Sequence, residues 1–136
     1  MLHHLPTTIK SFIGKKLLNI SRHSEDSVIL EFEDHKILLS VQGDCCSRSW
    51  FYDIVFPESA KGGVLLDVEE HKKDETQTET LVLDKLKGIG VEIEYFECSS
   101  IWDVVIKTDK GEALVRHVND SNGYYDGMTY YQDFNG

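Results

Sequence analysis

Cysteines and long apolar runs are scarce in this sequence. Its 136 residues include three cysteines, and two of them, Cys45 and Cys46, are adjacent. A bridge between neighbours would be strained, and three thiols cannot build the disulfide framework of a small secreted protein. No apolar run approaches the roughly 20 residues of a membrane-spanning helix. The N-terminal residues lack the basic and apolar regions of a signal peptide, so we expect a cytoplasmic protein with reduced thiols and no membrane partner.

Metal-binding motifs are also absent from the sequence. No C-x-x-C pair occurs, and the side chains of adjacent cysteines diverge too far to share a tetrahedral zinc ion. Of the six histidines, His117 alone lies within a predicted strand, where it is typical of a core or edge residue. The others lie near the N-terminus or at predicted turns and strand ends, namely His3, His4, His23, His35 and His71. The sequence therefore predicts no bound metal and no cofactor.

Basic residues are outnumbered along most of the chain. Lysine and arginine total 14 against 24 aspartates and glutamates, a formal net charge of −10 at pH 7. No acidic residue precedes Glu25, so the chain from there onward has ten basic and 24 acidic residues, a balance of −14. Such a surface repels phosphate backbones, which argues against general nucleic-acid binding. The acidity fits a soluble domain, or an inhibitor that mimics nucleic acid and binds a host protein through Glu31, Glu33, Glu69 and Glu70.

Apolar side chains at every second position predict a chain built mainly of strands. This pattern over Ser27–Glu33 and again over Lys36–Gln42 predicts a hairpin with a tight turn at Asp34-His35. Further strands are predicted at Lys15–Ile20, Trp50–Phe56, Val64–Glu70, Val91–Glu97, Trp102–Thr108 and Glu112–Val118. In the second of these, alternation places Trp50, Tyr52, Ile54 and Phe56 on one face.

Two segments depart from the strand pattern. Pro6–Ile13 is predicted as a short helix that stops at Gly14. Thr80–Lys87 fits either a helix or a strand, because its apolar residues occur at both spacings. The whole pattern predicts a single domain over residues 1–136 that is mainly β and borders on α+β. We expect an antiparallel sandwich or a strongly twisted sheet with a short N-terminal helix.

The segment from Gly43 to Tyr52 holds the least ordinary residues of the chain. It joins two predicted strands, carries the adjacent thiols beside Asp44 and Arg48, and leads into an aromatic strand. A second strong turn, Asn122-Gly123, precedes Tyr124 and Tyr125, and aromatic side chains are enriched at binding sites. We expect the Gly43–Tyr52 and Asn122–Tyr125 turns to meet at one end of the sheets and form a shallow pocket.

A cysteine-dependent enzyme is an alternative to a binding protein. Arg48 or a histidine could activate a thiol, with His117 as the base and Asp120 or Asn119 orienting it. However, the nucleophilic cysteine of such hydrolases lies at the N-terminus of a helix, whereas the turn that contains Cys45 and Cys46 leads into a strand. A structural role explains the pair better: one cysteine packs as a small apolar group and the other lies in a turn. The residues favour a binding protein over an enzyme.

Two short elements carry a resemblance to a known family. Asp44-Cys45-Cys46-Ser47 follows a strand pair, and Ser121-Asn122-Gly123-Tyr124-Tyr125 follows a later strand. Together they resemble paired elements of an uncharacterised domain found in phage and bacterial proteins, over roughly Ile13 to Tyr130. The chain is least typical at Arg48-Ser49 and in the polar loop from His71. The resemblance implies a phage or prophage origin and a joint role for the two turns, and it supplies no mechanism.

The hypothesis from sequence is a non-enzymatic binding protein of unknown molecular function. Its partner would be a small ligand or a host protein, and the protein would be a monomer or a homodimer. The pocket would have an apolar floor of Cys46, Trp50 and Tyr124 and polar contacts from Asp44, Arg48 and Asn122. The full set of candidate ligand-binding residues is Asp44, Cys46, Arg48, Trp50, His117, Asn122, Tyr124 and Tyr125.

Overall fold

The computed structural model describes residues 7–42, 48–73, 79–93, 99–120 and 128–134. These residues form eight strands: β1 (Lys16–Ser24), β2 (Ser27–Phe32), β3 (Lys36–Gln42), β4 (Arg48–Val55), β5 (Gly63–Lys73), β6 (Ser99–Thr108), β7 (Gly111–Asp120) and β8 (Met128–Asp133). Helical segments are α1 (Thr7–Lys10), a 3₁₀ turn (Glu58–Ala60) and α2 (Glu79–Gly88). In the described ranges, none of the helices has the length and apolar character needed to cross a membrane.

The described strands form one open sheet in the order β4-β7-β6-β5-β1-β2-β3-β8. Every pairing between neighbours is antiparallel, which confirms the predicted mainly β, antiparallel class. We call β1, β2, β3 and β8 the β8 half, and β4, β5, β6 and β7 the β4 half. Two register pairs between β1 and β5 connect the halves, Lys16 with Val64 and Leu17 with Gly63.

The inner faces of the two halves share one apolar core. Leu30 and Leu39 from the β8 half lie in the same buried cluster as Phe51, Ile106 and Val115 from the β4 half. Alternate residues of a strand point to the same face, so each strand contributes every second side chain to this core. The predicted hairpin between β2 and β3 is confirmed by its continuous antiparallel register.

Helix α2 covers the outer face of the β4 half, so the ambiguous segment Thr80–Lys87 is helical. Val82 and Leu86, one helical turn apart, are fully buried in a second apolar cluster that includes Trp50 from β4. After the helix, the backbone N–H of Val91 donates to the carbonyl of Leu86 at 2.9 Å. Val91 joins the same cluster, and residues 91–93 are not in a strand. The predicted strand Val91–Glu97 is therefore wrong over its first three residues, and the remaining four lie outside the described residues.

A β-bulge interrupts the alternation of β4. Phe51 pairs with His117 and Asp53 pairs with Arg116, so two residues of β4 span one step of β7. The extra residue shifts the faces beyond Tyr52. Trp50 and Tyr52 belong to the cluster beneath α2, whereas Ile54 and Phe56 pack against the inner core. The prediction that these four side chains share one face is wrong for this reason.

Arg22 of β1 forms hydrogen bonds that connect the outer edge of β4 to the β8 half. Its guanidinium donates to the carbonyl of Phe51 at 2.7 Å and to the carbonyl of Ser24 at 3.0 Å. The N–H of Phe51 donates in turn to the carbonyl of Glu25 in the β1–β2 turn at 2.9 Å. Both backbone groups of Phe51 are therefore satisfied, although β4 lies at an end of the sheet.

We expect Arg22→Ala to lower the free energy of unfolding by about 1.5–3 kcal/mol, because hydrogen bonds from a charged donor are lost. Arg22→Lys should recover only part of this loss, since an ammonium lacks the planar fork that reaches two carbonyls. Urea denaturation measures both effects, and the exposed Lys16→Ala on the same strand is the control. Equal stability of Arg22→Ala and Lys16→Ala would contradict a role for Arg22 in holding this edge.

Candidate functional site

Two pairs of neighbouring strands have their ends at the same end of the sheet, which we call the paired end. Gln42 at the end of β3 pairs with Met128 at the start of β8. Arg48 at the start of β4 pairs with Asp120 at the end of β7. β3 and β4 also both donate backbone hydrogen bonds to the β1–β2 turn near these ends. The described residues that flank segments 43–47 and 121–127 therefore lie at the same end of the sheet.

The predicted binding residues divide into two sets. Asp44, Cys46, Asn122, Tyr124 and Tyr125 lie outside the described residues, as do Cys45 and Cys98. The remaining three, Arg48, Trp50 and His117, belong to β4 and β7.

The structure does not bring Trp50 and His117 together. Trp50 pairs with Val118, and His117 is the next residue along β7, so the two rings point to opposite faces of the β4 half. Trp50 is buried beneath α2, and the guanidinium of Arg48 lies 4.7 Å from the centroid of its ring. The prediction of Trp50 as the floor of a pocket is therefore corrected: it is a core residue of the outer cluster.

A buried polar row crosses the inner face at the paired end. Ser49 of β4, Asn119 of β7 and Ser100 of β6 occupy one register row, and all three are buried. The amide nitrogen of Asn119 donates to the hydroxyl of Ser49 at 2.8 Å. The inner face thus changes from apolar in the middle of the sheet to polar at the paired end. Buried polar groups need hydrogen-bond partners, so a row of polar side chains is unusual in a protein core.

His117 lies one row deeper, and its side chain is fully buried. Its ring stacks on Trp102, with an interplanar angle of 7° and centroids 6.3 Å apart, and meets the edge of Phe51 at 5.8 Å. On the far side, the ammonium of Lys72 lies 5.9 Å from the centroid of the Trp102 ring. Within the described ranges, neither ring nitrogen of His117 has a hydrogen-bond partner. The imidazole is therefore held in place by aromatic packing.

Glu70 of β5 faces His117 from inside the molecule. Its Oε2 lies 3.7 Å from Nε2 of His117, and its Oε1 accepts a hydrogen bond from the hydroxyl of Thr129 in β8. Burial, and then the negative charge of Glu70, raise the pKa of the Tyr131 phenol. Because Thr129 and Tyr131 belong to the β8 half, Glu70 connects the two halves across the interior. We call Ser49, Glu70, Ser100, His117, Asn119 and Thr129 the polar cluster.

Glu69 and Glu70 occupy opposite faces of β5, so they do not form one acidic surface. Glu69 lies on the outer face, where the ammonium of Lys107 and then the imidazole of His71 hold the pKa of its carboxyl below the usual value. The prediction that Glu70 belongs to an exposed acidic face is corrected, since only 7% of its side chain is exposed. Sequence contains a signal for this position: Glu70 follows the buried Val68 at alternate spacing.

The polar cluster brings hydrogen-bonding side chains together in the interior of the molecule. Neutral imidazole has one donor and one acceptor nitrogen, a carboxylate accepts, and hydroxyls and amides do both. Among the described residues, no three histidine, cysteine or acidic side chains lie close enough together to hold a metal ion. The described part of the cluster therefore brings hydrogen-bonding side chains together without a set of metal ligands.

Two buried tyrosines, Tyr52 and Tyr131, make the free energy of unfolding depend on pH in the alkaline range. Burial, and then the charge of Asp103, raise the pKa of Tyr52 to about 12, and burial also raises the pKa of Tyr131. Unfolded tyrosine has a pKa of about 10. The folded state therefore favours the neutral phenols. Their contribution to stability is complete below about pH 10 and is lost as the pH rises from there through the folded values.

We expect the phenolate absorbance of Tyr52 and Tyr131 to be absent near pH 10 while the protein is folded, and to appear at higher pH or on unfolding. Tyr52→Phe and Tyr131→Phe should each reduce the dependence of the unfolding free energy on pH above about pH 10. The measurements are spectrophotometric titration and urea denaturation at several pH values. Ionisation of both residues near pH 10 in protein that circular dichroism shows to be folded would contradict this prediction.

The sequence profile of one family, described as a domain of unknown function (DUF7448), matches residues 10–130. This confirms the predicted resemblance to an uncharacterised domain and covers nearly the span expected from the two motifs. No curated protein and no solved structure matches the chain.

Proposed function

We propose that this chain, which belongs to the DUF7448 family of domains of unknown function, is a non-enzymatic protein that binds a small polar molecule. The proposed site is the inner face of the sheet at the paired end, around the polar cluster. The observation that carries the proposal is His117, which is fully buried, packed by aromatic rings and without a hydrogen-bond partner among the described residues.

The physical argument rests on the cost of burying unpaired polar groups. An unsatisfied buried donor or acceptor costs about 1–3 kcal/mol, a large share of the stability of a small domain. A histidine in this position is therefore favoured where another group completes its hydrogen bonds. The neighbouring row of Ser49, Ser100 and Asn119 places further donors and acceptors beside it.

The proposal also requires the two halves to face each other as layers of a sandwich. What supports this arrangement is the core cluster shared by both halves and the hydrogen bond from Thr129 to Glu70. The flanking residues of segments 43–47 and 121–127 lie at the same end. Loops on a rigid scaffold commonly carry binding function, so this end is where the two predicted turns would contribute.

Native mass spectrometry of protein taken directly from cells tests the proposal. We expect a retained mass of small-molecule size, or stabilisation by members of a metabolite library in a thermal-shift screen. Ser49→Ala and His117→Phe should weaken binding about tenfold or more, because each leaves a polar group of the ligand unpaired. Lys36→Ala is the matched control, since Lys36 is exposed at the opposite end of β3 from Gln42.

The same measurements separate the alternatives. Cys46→Ser should leave the protein folded and able to bind, whereas it would abolish a thiol-dependent enzyme. A polypeptide of fixed mass that remains bound would instead indicate a host protein, and the mass of the complex also distinguishes a monomer from a homodimer. A mass equal to the chain alone, together with no stabilisation by any compound, would contradict the proposed function.

A further inference from the structure

The pairing of His117 with Glu70 limits which ligand the polar cluster can bind. We propose that the ligand is an uncharged molecule that donates a hydrogen bond from a hydroxyl or amide group to Nδ1 of His117. This inference rests on the proposed function and names the chemical class of its ligand.

The first step concerns the tautomer of the imidazole. Nε2 faces the carboxylate oxygen Oε2 of Glu70 at 3.7 Å. This distance is too long for a hydrogen bond, but the negative charge favours the proton on the nitrogen that faces it. Neutral His117 is therefore protonated at Nε2, and Nδ1 keeps its lone pair as an acceptor. Glu70 acts as a positioning residue, and the hydroxyl of Thr129 orients its other oxygen.

The second step concerns charge. Glu70 supplies one negative charge beside the imidazole, and Lys72 supplies one positive charge across the Trp102 ring. Tyr131 faces the same region, and its raised pKa keeps it neutral. These two opposite charges are the ones that the described residues place against the stacked His117 and Trp102 rings, and the guanidinium of Arg22 is engaged by two backbone carbonyls. An ionised ligand would leave a charge without a counter-charge in a buried site, which is unfavourable, whereas a neutral hydrogen-bonding group fits.

Nitrogen-15 NMR of the histidine rings tests both steps, at about pH 8 so that ordinary histidines are neutral. We expect His117 to show the Nε2–H tautomer. Ethylene glycol, added as an uncharged hydroxyl probe, should shift the Nδ1 resonance of His117. Sodium acetate and methylammonium chloride at the same concentration should not. The exposed His23 in the same spectrum is the control for a general solvent effect.

The substitution Glu70→Gln tests whether Glu70 sets the tautomer of His117 or has only a structural role. The substitution keeps the shape of the side chain and removes the charge, so we expect both tautomers of His117 to be populated. An unchanged tautomer in this variant, or an Nδ1–H tautomer in the wild type, would overturn the inference. A shift caused by acetate or methylammonium rather than by ethylene glycol would overturn the inference and leave the proposed site intact. Absence of a shift with every probe would contradict both the inference and the proposed site.

Discussion

Phe51→Ala should lower the free energy of unfolding by about 3–5 kcal/mol, the largest effect we expect from a single substitution in this protein. The ring of Phe51 is fully buried in the shared core. It contacts the imidazole of His117 edge-on, and its backbone receives the hydrogen bond from Arg22. Removing the ring leaves a cavity where the two halves meet, and the backbone contacts limit how far β4 can move to fill it.

Val55→Ala provides the matched control for Phe51→Ala. Val55 belongs to the same strand but is 39% exposed, so we expect its truncation to change stability by no more than about 0.5 kcal/mol. Phe51→Leu should fall between the two, because it keeps most of the apolar volume. Urea denaturation at constant pH measures all three variants. A loss below about 1 kcal/mol for Phe51→Ala would place the ring outside the core and would contradict the packing described here.

Gly63→Ala should lower the free energy of unfolding by about 2–3 kcal/mol, because the new methyl group has no room. A Cβ at this position would lie 2.7 Å from Cβ of Thr108 and 3.1 Å from the carbonyl oxygen of Ala60, and it would also overlap the Thr108 hydroxyl. That hydroxyl donates to the carbonyl of Gly111 at 2.7 Å. Rotating Thr108 away would therefore break the turn between β6 and β7.

Gly88→Ala is the control for Gly63→Ala. Gly88 lies at the end of α2, and among the described residues, its chain neighbours and the backbone of its own helix apart, no atom lies within 4 Å of the position that its Cβ would take. Alanine favours a helix by roughly 0.5–1 kcal/mol over glycine, so we expect this variant to be as stable as the wild type or more stable. Opposite signs for the two variants are the expected result of thermal or urea denaturation. Equal stability of Gly63→Ala and the wild type would show that Gly63 is less closely packed against Thr108 and Ala60 than the structure indicates.

Local periodicity was sufficient to predict the class of the fold. The hairpin of β2 and β3 follows from strict alternation on both sides of a two-residue turn, and neighbouring residues contain all of that information. The bulge at Tyr52 could not be predicted in this way, because it depends on which residue of β7 lies opposite each residue of β4. One extra residue then moved Ile54 to the inner face.

The candidate site was harder to predict than the fold. The position of His117 within a strand is visible in the sequence, but its neighbours come from β4, β5 and β6, and their register has no local signature. Glu70 was assigned to solvent because of its charge, although alternation with Val68 places it inside. Trp50 was assigned to a pocket because it follows the cysteine pair, whereas helix α2 covers it. The charge of Glu70 and the sequence position of Trp50 both suggested accessible side chains, and tertiary packing determined otherwise.

The last described strand of the chain pairs with the third, and this has a consequence for synthesis on the ribosome. β3 is complete at Gln42, but the strand that covers its outer edge begins only at Met128. Every strand of the β4 half is translated in the interval. Until β8 emerges, the backbone groups along that edge of β3 can pair with a strand of another nascent chain. The time that translation takes between these two residues is therefore the period in which the protein is most exposed to misassembly.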